Sequence, residues 1–127
     1  MEPKLTMMTA AVLLAISALG GLTMAAIRFS GKPHPPTWLA MLHGFISAAA
    51  LTLLIYAACT VGLPALAQYA VVLFVIAALG GVVMNLNYHW KLLPLPIWLM
   101  VVHALIAVTG FVLLLAALWS TATMTTT

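Results

Sequence analysis

Acidic side chains are almost absent from this sequence. Glu2 is the one acid among 127 residues, charged residues make up 4% of the chain, and hydrophobic residues make up 66%. A soluble domain carries several times more charge on its surface, so this composition excludes a water-soluble fold. It also excludes chemistry that needs paired carboxylates. A proton-coupled exporter is disfavoured as well, because such a protein needs an acid inside the membrane.

Cysteine and basic residues are scarce too. Cys59 is the single cysteine, so it cannot form an intramolecular disulfide, and its apolar surroundings indicate a packing or lipid-facing residue. The four lysines and arginines are too few for a nucleic-acid-binding surface, and we expect no nucleic-acid partner. The lipid bilayer is the predicted partner, together with a larger redox complex, a quinone or a second copy of the chain.

Long apolar runs make up most of the sequence. Four of them, separated by short breaks that contain proline or glycine, predict an all-α bundle of four transmembrane helices. The predicted helices cover residues 6–29, 36–60, 64–88 and 95–120. The first run follows Lys4, as in a signal peptide, but it is too long for the apolar region of a cleavable one. We therefore expect it to be the first transmembrane helix.

The basic residues predict the orientation of the chain. Arg28, Lys32 and Lys91 lie in or beside the first and third connections, whereas the second connection is uncharged and Lys4 is offset by Glu2. The positive-inside rule then places the first and third connections in the cytoplasm and both termini outside. We expect the membrane to be a bacterial inner membrane. An aromatic belt is also indicated by four tryptophans near the span ends: Trp38, Trp90, Trp98 and Trp119.

The two halves of the sequence match each other at an offset of 60 residues. Shared rare residues include Gly20 and Gly80, Gly21 and Gly81, Met24 and Met84, Pro36 and Pro96, Trp38 and Trp98, and His43 and His103. Such coincidences are not a composition effect and indicate an internal repeat. The repeat predicts two hairpins, residues 1–62 and 63–127, in one membrane domain. Each has an even number of spans, so both enter the membrane in the same direction, which predicts a pseudo-twofold axis along the membrane normal.

Two of the four histidines are repeat equivalents inside predicted helices. His43 shares a helical face with Ser47 and two alanines, and His103 shares the equivalent face with Ala107 and Gly110. Small residues face the interior of a membrane bundle, because larger apolar side chains meet lipid without cost. We therefore expect both histidines to point inward and to face each other at one depth.

Pairs of glycines lie at the same predicted depth on the neighbouring helices. Glycine in a transmembrane helix leaves room where something must approach the backbone. Close helix packing explains the pairs, and so does a flat ligand such as a porphyrin. This layer comprises Gly20, Gly21 and Met24 in the first repeat and Gly80, Gly81 and Met84 in the second.

Histidines inside a membrane core mark a functional site by default. Our interpretation is that His43 and His103 are the metal ligands of one haem b. Three alternatives stay open: inert histidines that form hydrogen bonds in a structural subunit, a copper site with thioether ligands from Met24, Met84 and Met100, and a small-solute transporter. No nucleophile or acid–base pair is available, so we expect an electron carrier or subunit whose redox activity belongs to its cofactor.

The cytoplasmic end carries further polar residues. Arg28, Lys32 and Lys91 are expected to bind the haem propionates. His34 and His89 have no histidine at their repeat-equivalent positions and are expected to be wet edge residues. The repeat is also broken by two amides, which are candidates for docking a propionate, a quinone headgroup or a partner chain: Asn85 and Asn87.

The paired inward histidines and the glycine pairs resemble the four-helix b-type cytochromes that anchor bacterial dehydrogenases and reductases in the membrane. This resemblance extends over the whole chain and implies a haem-binding bundle. Many members of those families bind two haems with four histidines, often two on one helix about fourteen residues apart. Here Ala57 and Ala117 occupy those positions, so the resemblance implies one haem.

Overall fold

The computed structural model describes residues 2–124 as a bundle of four long helices. They are α1 (Pro3–Phe29), α2 (Thr37–Thr60), α3 (Ala65–Met84) and α4 (Ile97–Met124), and a π-helical turn over Asn85–His89 extends α3. Each helix is long and apolar enough to cross a membrane. The predicted all-α fold of four membrane-spanning helices is therefore confirmed. Met1 and residues 125–127, the ends of the two predicted hairpins, lie outside the described residues.

Local sequence explains where the helices begin and end. Pro36 and Pro64 are the N-cap residues of α2 and α3, positions where a missing N–H breaks no helical hydrogen bond. The end of α2 is closed by Gly62, whose φ of 79° few other residues adopt and whose N–H donates to the carbonyl of Ala57. Arg28 lies in the last turn of α1, where a cation interacts favourably with the helix dipole.

The four helices contact one another in a ring. Within each hairpin α1 packs on α2 and α3 packs on α4, and between the hairpins α1 packs on α4 and α2 packs on α3. Consequently α2 lies diagonally opposite α4, which is the arrangement that brings the two intramembrane histidines into one interior.

Buried side chains are concentrated in the half of the bundle that contains the α2–α3 connection. The core there comprises Met7, Ala10, Ala11, Ala50, Leu54, Ala57, Leu63, Ala67, Ala70, Phe74, Leu114 and Ala117. The other half contains His43 and His103, and its inward-facing residues are mostly half-buried. Packing of large side chains therefore holds the bundle together at one end and leaves the histidine half more open.

One core position provides a stability test. A Cβ atom at Gly110 would lie 3.1 Å from Cε1 of Phe74, so the ring packs directly on the glycine backbone. Gly110→Leu is expected to lower the free energy of unfolding in detergent by about 1–3 kcal/mol, because overpacking must displace the ring. Gly44→Leu is the matched control, since a Cβ there meets nothing within 4 Å. Equal destabilisation by both changes would contradict this account of the core.

Candidate functional site

The rings of His43 and His103 lie close together in the interior of the bundle, in an edge-to-face arrangement. Their centroids are 6.3 Å apart and their planes are inclined by 67°. His43 is on α2 and His103 is on α4, the diagonal pair of helices, and both residues are half-buried. The folded chain thus brings together the two repeat-equivalent histidines that the sequence singled out.

Each ring is oriented by a carbonyl of the neighbouring helix in its own hairpin. Nδ1 of His43 lies 2.8 Å from the carbonyl oxygen of Ser17, and Nδ1 of His103 lies 2.9 Å from that of Ala77. A carbonyl oxygen only accepts, so Nδ1 carries the proton in both rings. Nε2 is then an unprotonated nitrogen with a free lone pair, and neither Nε2 atom has a hydrogen-bond partner within residues 2–124.

The two rings differ in how firmly they are held. The hydroxyl of Ser17 lies 2.9 Å from Nδ1 of His43 and also contacts the His43 carbonyl and the hydroxyl of Ser47. The second repeat has Ala77 and Ala107 at the equivalent positions. The ring of His103 is therefore held by one hydrogen bond, to the carbonyl of Ala77, whereas the ring of His43 also contacts the hydroxyl of Ser17.

The glycine pairs pack directly on the histidine rings. A Cβ at Gly21 would lie 3.2 Å from Cε1 of His43, and one at Gly20 would lie 3.7 Å from its Cβ. In the second hairpin, a Cβ at Gly81 would lie 3.5 Å from Cε1 of His103, and one at Gly80 would lie 3.8 Å from its Nδ1. The absence of side chains on α1 and α3 lets each ring lie close to a helix backbone.

The remaining predicted site residues divide into two groups. Half-buried thioethers are found at Met24, Met84 and Met100. Arg28 joins the first and third connections, because its Nε donates to the carbonyl of Leu95 at 2.9 Å and its Nη1 donates to that of Lys32 at 3.4 Å. The side chains of Lys32 and Lys91 are exposed. Their predicted contact with propionates stays a prediction.

His89 is not the wet edge residue that the sequence indicated. His89 is only 4% exposed, His34 is half-buried, and their ring centroids are 5.4 Å apart in an edge-to-face arrangement. The expectation is wrong for His89 because the first connection folds against the π-helical turn, where Nε2 of His89 lies 3.1 Å from the hydroxyl of Thr37. A contact between residues so far apart in sequence leaves no periodic pattern from which it could be predicted.

No group of three or more His, Cys, Asp or Glu side chains suitable for a metal ion occurs within residues 2–124. A metal ion between His43 and His103 would therefore receive two nitrogen ligands from these residue types. Its other ligands would have to come from thioethers, from water or from a cofactor that surrounds the metal.

Comparisons of the chain with protein-family models, with curated proteins and with solved structures give no match. A four-helix bundle by itself supports many unrelated functions. The functional argument therefore depends on the geometry of the histidine pair.

Proposed function

We propose that this protein is a membrane haem b protein in which His43 and His103 are the two axial ligands, and that it transfers electrons near one face of the membrane. The observation that carries the proposal is the matched pair of rings. Each donates Nδ1–H to a helix carbonyl, each keeps Nε2 free, and the two lie close together in the interior of the bundle. Histidines that bind metals characteristically donate their other ring N–H in this way.

The separation of the rings suits two ligands on opposite sides of one metal ion. With a metal–nitrogen distance of about 2.0–2.1 Å, each ring centroid lies about 3 Å from the metal, so opposed rings are roughly 6 Å apart. The observed separation is 6.3 Å. A porphyrin supplies four equatorial nitrogens and needs two axial ligands. This requirement matches a protein that offers two imidazoles.

The surrounding residues perform distinct tasks in this proposal. The carbonyls of Ser17 and Ala77 fix the ring orientation and increase the basicity of Nε2. The inward-facing residues of the histidine half are mostly half-buried, and the proposed flat ligand would lie between the helices there. The cofactor supplies one-electron chemistry when bound, and the protein supplies ligation, burial and electrostatics. Arg28, Lys32 and Lys91 are the cations proposed to bind its propionates.

The proposed topology places this cationic end in the cytoplasm of a bacterium. The first and third connections carry Arg28, Lys32 and Lys91, and the two connections are joined by hydrogen bonds from Arg28 to Leu95 and from the Leu95 N–H to the Pro33 carbonyl. A quinone or a larger redox complex is the proposed electron partner at this end.

Three alternatives account less well for the site. In an inert structural subunit, the hydrogen bonds to the carbonyls of Ser17 and Ala77 would satisfy Nδ1 of each ring. Nε2 of each ring would be left unpaired inside the membrane, which is unfavourable. In a copper site, Met24, Met84 and Met100 would complete the coordination. The small-solute transporter has no intramembrane acid to support it.

Visible absorption of the protein purified with haem tests the proposal. A Soret band with resolved α and β bands after reduction is expected, because two imidazole ligands give low-spin iron. A stoichiometry of about one haem per chain is the expected ratio. A chain that inserts and folds but retains no haem would overturn the proposal, and copper retained instead would favour the alternative metal.

The unequal support of the two rings predicts which ligand is displaced first. An added ligand such as carbon monoxide is expected to replace His103 before His43 on the reduced protein, because His43 has the extra hydroxyl contacts. Ser17→Ala is expected to increase the fraction that binds carbon monoxide, and Ala77→Ser to decrease it. Spectral titration measures both. Identical titration curves for the two variants would show that the serine hydroxyl does not control ligand exchange.

A further inference from the structure

A second pair of histidines lies at the end of the bundle that contains the first and third connections. His34 comes from the first connection and His89 from the π-helical turn, and their ring centroids are 5.4 Å apart. A π-helical turn is an uncommon element that is often found at functional sites. The local backbone thus places His89 in a buried position against a loop that carries another imidazole.

Two buried side-chain atoms of the π-helical turn have no hydrogen-bond partner within residues 2–124. They are Nδ1 of His89 and Oδ1 of Asn85, which lies one turn earlier on the same π-helical segment. His89 is 4% exposed, so bulk water does not satisfy its ring. Buried polar groups without partners are rare and costly, and each calls for an explanation such as an ion or a ligand.

We propose that His34 and His89 form a second metal site, for a divalent transition-metal ion such as Zn²⁺, with the amide oxygen of Asn85 as a third donor. Nε2 of His89 lies 3.1 Å from the Thr37 hydroxyl, which accepts a hydrogen bond when Nε2 carries the ring proton. Nδ1 is then the nitrogen that binds the metal. This hydroxyl contact orients the ring as outer-shell partners do in metal sites.

The spacing of the rings fits this assignment and differs from that of the intramembrane pair. Two imidazoles bound to one ion at a tetrahedral angle have centroids roughly 5 Å apart, whereas opposed ligands are roughly 6 Å apart. The observed values are 5.4 Å for His34 and His89 and 6.3 Å for His43 and His103. Imidazole nitrogen is also a suitable ligand for Zn²⁺, Ni²⁺ and Cu²⁺.

The neighbouring positive charges oppose the binding of a cation, so an anion is the competing ligand for this site. Lys32 lines a cavity of about 290 Å³ together with His34, and Arg28 contacts the backbone of the same connection. An anion would suit these charges. It would, however, leave Oδ1 of Asn85 unsatisfied, because that oxygen only accepts. A metal ion bound by both atoms would satisfy the unpaired nitrogen and the unpaired oxygen together.

Calorimetric titration of the purified full-length chain with Zn²⁺, and absorption spectroscopy with Co²⁺, test this site. One saturable ion per chain is expected, with Co²⁺ bands of a tetrahedral N/O site. His34→Ala and Asn85→Ala are each expected to weaken binding by more than about 10-fold. Asn87→Ala is the matched control, because Asn87 lies on the same turn but is exposed, and it should leave the affinity unchanged.

Variants of the intramembrane pair separate this site from the haem proposal. His43→Ala and His103→Ala are expected to leave Zn²⁺ binding unchanged, so the metal site stands even if no haem is retained. His34→Gln is the milder variant if His34→Ala fails to fold. Absence of saturable binding, or binding that is indifferent to His34 and Asn85, would overturn the site. Binding of inorganic phosphate that is lost in Lys32→Ala and His34→Ala would overturn it in favour of an anion.

Discussion

Replacement of either His43 or His103 by alanine is expected to abolish the low-spin spectrum of the haem-loaded protein. Each ring supplies one of two axial ligands in the proposed site, and the surrounding helices offer no other imidazole at that depth. With one axial histidine left, the haem is expected to become high-spin or to dissociate from the protein. Visible absorption and electron paramagnetic resonance measure the change. His34→Ala and His89→Ala are the controls and should keep the low-spin spectrum.

Added imidazole distinguishes lost ligation from lost folding in the same variants. His103→Ala leaves space beside Gly80 and Gly81, whose nearest neighbours are atoms of the His103 ring. Free imidazole is therefore expected to bind there and to restore the low-spin spectrum. Low-spin spectra in both single variants without added imidazole would show that the assigned ligands are wrong.

The fold was largely predictable because each span is a long apolar run that ends in turn residues. The predicted helix of residues 36–60 differs from the observed α2, Thr37–Thr60, by one residue. The end of α3 was less predictable. Residues 64–88 were expected to be one helix, but the regular helix ends at Met84 and a π-helical turn follows. Asn85 breaks the sequence repeat at this point, yet a break in a repeat does not specify which irregular structure replaces it.

The proximity of the histidine pair was predicted from the repeat, because equivalent residues of two parallel hairpins are expected to lie at equal depth, and the rings are 6.3 Å apart. The hydrogen bonds that orient the rings were not predicted. Ser17 and Ala77 each precede the histidine that they contact by 26 residues. Their carbonyl oxygens lie 2.8 and 2.9 Å from Nδ1 of His43 and His103. A backbone carbonyl has no residue-specific signature in a sequence. The second copy of the repeat has Ala77 where the first has Ser17, and this difference is the sign of asymmetry that the sequence contains.

The uneven core was also beyond sequence-based prediction. Both halves of every helix are apolar, so composition does not distinguish a closely packed end from a more open one. The buried cluster contains large side chains at Met7, Leu54, Phe74 and Leu114, whereas the histidine half has glycine pairs on two of its four helices. The sequence thus identified the small residues of the site but not the resulting contrast in packing.

Leucine at Gly20 or Gly80 is expected to eliminate haem retention while the chain still inserts into the membrane. A Cβ at either position lies within 3.7–3.8 Å of the histidine of its hairpin, so a larger side chain displaces the ring or enters the space beside it. Leucine favours transmembrane helices, so insertion should be preserved. The haem-to-protein ratio is expected to fall from about one to near zero, while Gly44→Leu, which meets open space, should retain the cofactor.

Thermal unfolding of the haem-free protein separates a haem site from simple helix packing in these leucine variants. The histidine half contains few buried residues, so a haem site predicts that the haem-free variants unfold close to the parent temperature. The stabilisation that added haem gives the parent should then be absent, because a ligand stabilises a protein only to the extent that the folded state binds it. If the glycines serve packing alone, both variants will be destabilised to the same degree with and without haem. Normal haem content in Gly20→Leu and Gly80→Leu would exclude a porphyrin between His43 and His103.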